Sequence, residues 1–345
     1  MHGDKAQRAE LLPNLRAAPL TRVKNRDVGL DIARGFAMIL VVFGHALVGA
    51  LGAGLISDNT ERVLTAIYAV HMPLFFMISG YLAPRLINLP TDVFAARFWS
   101  RLVWPYLLWS LVLMSAHFLM RAYTNTAMTG FHPLTILWKP PAVMWFLYYL
   151  GIAILITRAV REAPKTVRAA LGIAVISAPY ILPALPDQTR FIGFFIIGTM
   201  IPNAQISGPF PKSSTTVAVI ITALSLLMLW TLPIDNKDAY PASQIWLLPA
   251  AFAGPFLLYR ASQYMALHMP EVPIMQVLRL IGQNTMPIFV LHILITAGTR
   301  IGLLKIGVTD WAVIICAATL LGLIIPLMAG QIANRAGIEK WLGWR

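Results

Sequence analysis

The sequence predicts an all-α integral membrane protein, a bundle of about ten transmembrane helices with both termini in the cytoplasm. Three observations carry that reading. Of 345 residues, 58% are hydrophobic and 12% are charged, with a mean hydropathy of +0.71, whereas a soluble domain has about 25% charged residues. The apolar residues fall into runs close to the ~20 residues that cross a bilayer. The net charge of +13 is distributed unevenly between alternate loops, as the positive-inside rule expects.

Residues 1–27 are polar and basic and read as a cytoplasmic tail. The apolar run of 29–52 is longer than the roughly 7–15 residues of a signal-peptide core, so it is expected to stay as the first helix. Further spans are predicted at 64–84, 101–121, 141–158, 167–184, 190–204, 214–232, 243–262, 280–299 and 311–331. The sixth is short, and the fourth starts immediately after Pro140-Pro141. Residues 28–332 thus form one membrane domain, and 333–345 a second cytoplasmic tail. No loop is long enough for an inserted soluble domain, and no internal repeat is evident.

With the N-terminus inside, nineteen Lys and Arg residues fall on the cytoplasmic side and seven on the outer side. The positive charge therefore reports topology and gives no reason to expect nucleic acid. The single cysteine, Cys316, lies in an apolar run, which excludes an intramolecular disulfide and a cysteine-based metal cluster. No metal site is expected.

Polar groups inside apolar runs are costly and must face protein or a water-filled cavity. The first span holds Arg34 and His45, eleven residues apart. On an ideal helix that is ~20° of rotation and ~16 Å of rise, so both lie on one face. Asp31, three residues before Arg34, is placed to form a structural ion pair with it. In an antiparallel hairpin with the second span, His71 reaches a depth similar to His45. The ninth span adds Asn284 and a mid-membrane His292. Three intramembrane histidines suit proton transfer near neutral pH. At the start of the third span, Arg97 and Arg101 share a helix face and, with Arg34, suit a phosphate-bearing molecule arriving from the cytosol. His117, His132 and His268 read as incidental, and Asp187 and Asp310 as loop residues meeting water. Residues alone leave three functions open: an enzyme with an intramembrane polar site, a polar-solute transporter or flippase using the same His and Arg groups, or a scaffold for an envelope-assembly complex with no chemistry of its own.

The run "DIARGFAMILVVFGH" (Asp31 to His45) resembles the first-helix signature of acyltransferase family 3 membrane proteins, an arginine followed by ten residues and a histidine. "HMPLFFMISGYL" (His71 to Leu82) is similar to the second-helix motif of that family's fucose 4-O-acetylase-like branch. "MWFLYYL" (Met144 to Leu150) and "IGQNTMPIFVLH" (Ile281 to His292) match later landmarks in order. The resemblance implies a membrane O-acyltransferase of the bacterial inner membrane. Its donor would be cytoplasmic acyl-CoA, most often acetyl-CoA, and its acceptor a hydroxyl of an envelope or exported saccharide or glycolipid. It makes His45 the catalytic residue, as general base or as acyl-carrying relay, with His71 also in the catalytic set. His292, Asn284 and Trp145 are then expected against the acceptor, and Arg34, Arg97 and Arg101 against the phosphates of CoA. The family's third-helix arginines are usually spaced R-x-x-R, whereas three residues separate Arg97 from Arg101 here. Self-association into a homo-oligomer is left open.

Overall fold

The computed structural model describes residues 27–56, 59–121, 130–201, 212–232 and 244–344. All regular elements among them are helical. The predicted basic tail of 1–27 lies outside the described residues except for Asp27. The long helices are α1 (Val28–Gly52), α2 (Asn59–Leu82), α5 (Trp104–Leu119), α6 (Trp145–Ala159), α7 (Lys165–Ile181), α9 (Lys212–Thr231), α10 (Leu248–His268), α12 (Thr285–Lys305) and α13 (Trp311–Arg335). Shorter ones are α3 (Pro84–Ile87), α4 (Thr91–Phe98), α8 (Arg190–Gly198) and α11 (Pro273–Gln283). The end of the bundle where α1 begins is termed the near end.

Seven segments among the described residues are long and apolar enough to cross a membrane: Val28–Gly52, Thr60–Ile87, Thr91–Leu119, Pro133–Ala159, Ser213–Thr231, Thr285–Lys305 and Trp311–Arg335. The other three predicted spans are also helical, as α7, α8 and α10, but fall short for different reasons. The nine residues of α8 reach only about 14 Å of a hydrocarbon core ~30 Å thick. α8 is nevertheless buried along most of its length. It inserts between α2 and α7, where a methyl on Gly193 would lie 2.4 Å from the carbonyl oxygen of Gly172, so glycine is what allows that approach. α10 carries Arg260, Ser262 and Gln263 within its length.

Two segments depart from simple crossing helices. Residues 131–144 run alongside α5: Phe131 packs on Phe118, and the Tyr106 hydroxyl donates to the carbonyl of Ile136. The chain then passes Pro140–Pro141 and Ala142, whose φ of 44° is uncommon for a residue with a Cβ, before α6 begins at Trp145. The ninth predicted span is broken at Asn284 (φ −116°, ψ 36°), which separates α11 from α12. α11 lies on α1 at backbone contact: a methyl on Gly282 would fall 1.8 Å from the Asp31 carbonyl oxygen, and one on Gly35 2.1 Å from that of Leu278.

The described part of the C-terminal segment is docked on the near half of α5. Trp104 donates its indole N–H to Trp341 O at 2.7 Å and Trp109 to Leu342 O at 2.9 Å, while the Trp109 and Trp344 rings stack 5.7 Å apart.

Candidate active site

Two cavities meet inside the bundle, and His45 lines both. The near chamber has a volume of about 160 Å³. α1 contributes Arg34, Met38, Val41 and His45, successive positions on one helical stripe. α2 contributes Tyr68, His71, Met72, Phe75 and Ser79, and the first turns of α12 contribute Thr285, Met286 and Phe289. Val143, Trp145 and Phe146 close the remaining side. Its aromatic wall is tightly built: Trp145 stacks on Phe191 at 5.5 Å, and Phe76 touches Phe146 edge-on at 5.1 Å.

Four rings gather around the junction. The His45 and His292 centroids are 5.0 Å apart, His45 and Tyr68 6.4 Å, and Tyr68 and His71 4.8 Å. His71 and His292 are completely buried, at 1% and 0% exposure. Each contacts the carbonyl one turn earlier through Nδ1, His71 to Ile67 at 2.6 Å and His292 to Ile288 at 3.0 Å. A carbonyl can only accept, so Nδ1 carries a proton in both rings, and in the neutral ring the lone pair is then on Nε2. The Nε2 of His292 is buried with no hydrogen-bond partner among the described residues.

The far chamber is larger, about 400 Å³. Its walls come from the far halves of α1, α5 and α12 and the start of α13. Most of the lining is aliphatic or methionine, including Leu113, Met114, Ile293 and Ile314. The polar groups are His45, His117, Thr296 and Arg300. Pro141 and Ala142 face this chamber, whereas Val143 faces the near one. The strained turn and His45 are therefore both parts of the partition.

The structure brings Arg34, His45, His71 and Trp145 onto one cavity and sets His292 beside it. Asn284 is not on either cavity wall; its side-chain amide donates to Leu280 O at 2.8 Å at the helix break. Arg97 and Arg101 are solvent-exposed. They flank the start of a π-helical turn, Trp99–Val103, away from both cavity walls. Asp31 is 2% exposed and accepts from Gln283 Nε2 at 3.1 Å. Asp187 is part of a cluster, 2.5 Å from Arg190, and Asp310 caps α13 through the amides of Ala312 and Val313. Sequence reasoning missed Tyr68, His117 and Arg300. For Arg300 a signal existed: His292, Thr296 and Arg300 repeat at four-residue intervals, which places them along one helical stripe.

Over residues 27–329 the sequence matches the family described as the acyltransferase domain. The chain belongs to acyltransferase family 3. Two curated relatives are similar to it, both called nodulation protein NolL. That of Mesorhizobium japonicum is 28% identical over 203 residues, covering 54% of this chain and 52% of the relative. That of Sinorhizobium fredii is 29% identical over 180 residues, covering 50% and 48%. The chain thus spans about half the length of the curated relatives it matches. No solved structure matches it. Arg34 and His45 both line the near chamber.

Proposed function

We propose that this family 3 protein is an O-acyltransferase of the bacterial inner membrane. It moves an acetyl group from cytoplasmic acetyl-CoA to a saccharide or glycolipid hydroxyl presented on the opposite side. The observation that carries the reading is the position of His45 in the partition between two chambers that extend toward opposite ends of the bundle. A near chamber of about 160 Å³ is below the roughly 300–1,000 Å³ that holds a whole drug-sized ligand. It fits the acyl-thioester end of the donor. The phosphates stay outside, where the exposed Arg97 and Arg101 are available to them. The far chamber, at about 400 Å³, is within the range for a sugar ring.

In the base mechanism, neutral His45 removes the acceptor hydroxyl proton as the oxygen attacks the thioester carbonyl carbon. The carbon–sulfur bond then breaks and His45 returns the proton to the departing thiolate. In the relay mechanism, a His45 nitrogen attacks the thioester carbonyl, the carbon–sulfur bond breaks and the thiolate leaves with the imidazole proton; the acceptor hydroxyl then attacks the acyl-imidazole, the carbon–nitrogen bond breaks and the hydroxyl proton passes to the freed imidazole. In both, Arg34 and the first-turn amides of α12 supply positive potential to the near chamber, where an oxyanion develops. The Nε2 lone pairs of His71 and His292 support a role in orienting His45 or the acceptor hydroxyl.

The test is radiolabelled acetyl-CoA added to membranes with and without the protein, with label followed into envelope glycans. Protein-dependent labelling is expected. Uptake of a polar solute that proceeds without acetyl-CoA, with no labelling, would replace this reading with transport.

A further inference from the structure

Three phenylalanines from three helices meet on the wall of the near chamber: Phe75 of α2, Phe146 of α6 and Phe289 of α12. Phe146 is the hub. Its ring meets Phe289 edge-on at 5.4 Å and Phe75 at 6.0 Å, and behind it Phe76 at 5.1 Å. The three wall rings are half-buried, whereas Phe76 is completely buried. Phe75 follows His71 by four residues on α2, and Phe289 precedes His292 by three on α12. Each step is about one helical turn. Both lead toward the near end, because α2 runs toward that end and α12 starts from it. The ring cluster therefore sits immediately on the near side of the histidines.

This cluster is held from behind. Phe76 stacks on Phe191 of α8 at 5.3 Å, and Phe191 stacks on Trp145 at 5.5 Å, so further rings back the wall. α8 is in turn held on α2 at backbone contact: a methyl on Gly80 would run into the carbonyl oxygen of Phe195, and one on Gly198 into that of Met77. The helix too short to cross the membrane is thus the backing of the chamber. In an interior packed this closely, an added methylene finds no space unless the wall moves. The chamber, at about 160 Å³, must already admit the thioester itself.

We infer that Phe146 and the rings around it set the length of the acyl group, so that the protein takes acetyl and discriminates against longer straight chains. This rests on the reading of the near chamber as the site of the donor's acyl-thioester end. With the thioester carbonyl at His45 and the rest of the donor following the α1 stripe toward Arg34, the acyl chain is left the opposite wall, where Phe146 stands. Phe146 here is a specificity residue: it limits what is attached to the carbonyl carbon and takes no part in proton transfer. Apolar walls of this kind discriminate by about 10–200-fold per methylene.

The experiment measures Kd for CoA, acetyl-CoA, propionyl-CoA and butyryl-CoA on the purified full-length protein in detergent, with no acceptor present. The wild type is expected to bind acetyl-CoA at least about ten-fold more tightly than butyryl-CoA, with propionyl-CoA between them. Phe146→Ala removes that margin by tightening butyryl-CoA while CoA itself binds as before, and Phe146→Leu removes part of it. Phe289→Leu, in the same cluster on another helix, also narrows it. Phe118→Leu, which loosens an aromatic pair with Phe131 away from both cavity walls, leaves it intact. Equal binding of acetyl-CoA and butyryl-CoA by the wild type overturns the inference. So does survival of the margin in a folded Phe146→Ala protein or, where that variant does not fold, in both leucine variants of the cluster. Loss of the margin in Phe118→Leu overturns it as well, since general loosening would then account for the effect. If no CoA species binds the wild type, the donor reading fails and this inference falls with it; binding without a length preference removes the inference alone.

Discussion

The two chambers that share His45 differ in volume, about 160 against 400 Å³, and also in how their walls are made. Stacked and edge-on aromatic rings wall much of the near chamber, and α11 and α1 meet at its near end at backbone distance. Aliphatic side chains dominate the far chamber, and nothing lies within 4 Å of where a methyl on Gly298 of α12 would sit. Packed aromatic rings define a single shape, whereas small aliphatic side chains and open helix faces leave room. Under the proposed reaction, the closed near chamber would suit a constant acyl thioester and the larger far chamber a bulkier acceptor.

The comparison can be broken first at the partition. His45→Ala is expected to lower acyl transfer by at least the 10²–10⁴-fold typical of a general base, with expression unchanged, read as label transferred per unit of protein. Next comes the packing asymmetry. Gly282→Ala drives a methyl to 1.8 Å from the Asp31 carbonyl oxygen, and overpacking of this kind costs about 1–3 kcal/mol. Gly298→Ala meets nothing within 4 Å and gains helix propensity of about 1 kcal/mol. Thermal unfolding in detergent should place the two variants on opposite sides of the wild type, and equal midpoints would remove the contrast.

The chambers should also separate in kinetics. Arg34→Gln is expected to raise KM for acetyl-CoA about ten-fold or more, the scale of a lost charged hydrogen bond, with little change in acceptor KM. Ala116→Phe, growing from α5 into the far chamber, should do the reverse. If both variants shift the same substrate, the assignment of chambers fails. The smallest effect is at the strained turn. Ala142→Gly removes a left-handed penalty of about 1–2 kcal/mol, so stability should rise. Transfer should slow several-fold as the partition loosens, and a variant that is both more stable and equally active would show that the strain serves no catalytic purpose.

Much of the near chamber was legible in the sequence. Helical arithmetic along one segment aligns Arg34 with His45, and hairpin counting sets His71 at a comparable depth; the cavity walls agree with both. The membrane bundle was legible too, because hydropathy over a whole span averages out local irregularity. That same averaging hid the break at Asn284 and the course of residues 131–144, where short 3₁₀ turns and prolines stand in for a continuous helix. It also gave α8, a short buried helix, the same signature as the longer spans. His117 and Arg300 join one cavity only through the packing of α5 against α12. No single-segment pattern encodes that contact.

The most direct test of the account is to compare wild type and His45→Ala in membranes supplied with radiolabelled acetyl-CoA, following label into envelope glycans at matched expression. The account predicts labelled glycan from the wild type and none above background from the variant. Equal labelling by the two proteins would contradict it, because acyl transfer would then proceed without the one side chain that both chambers share.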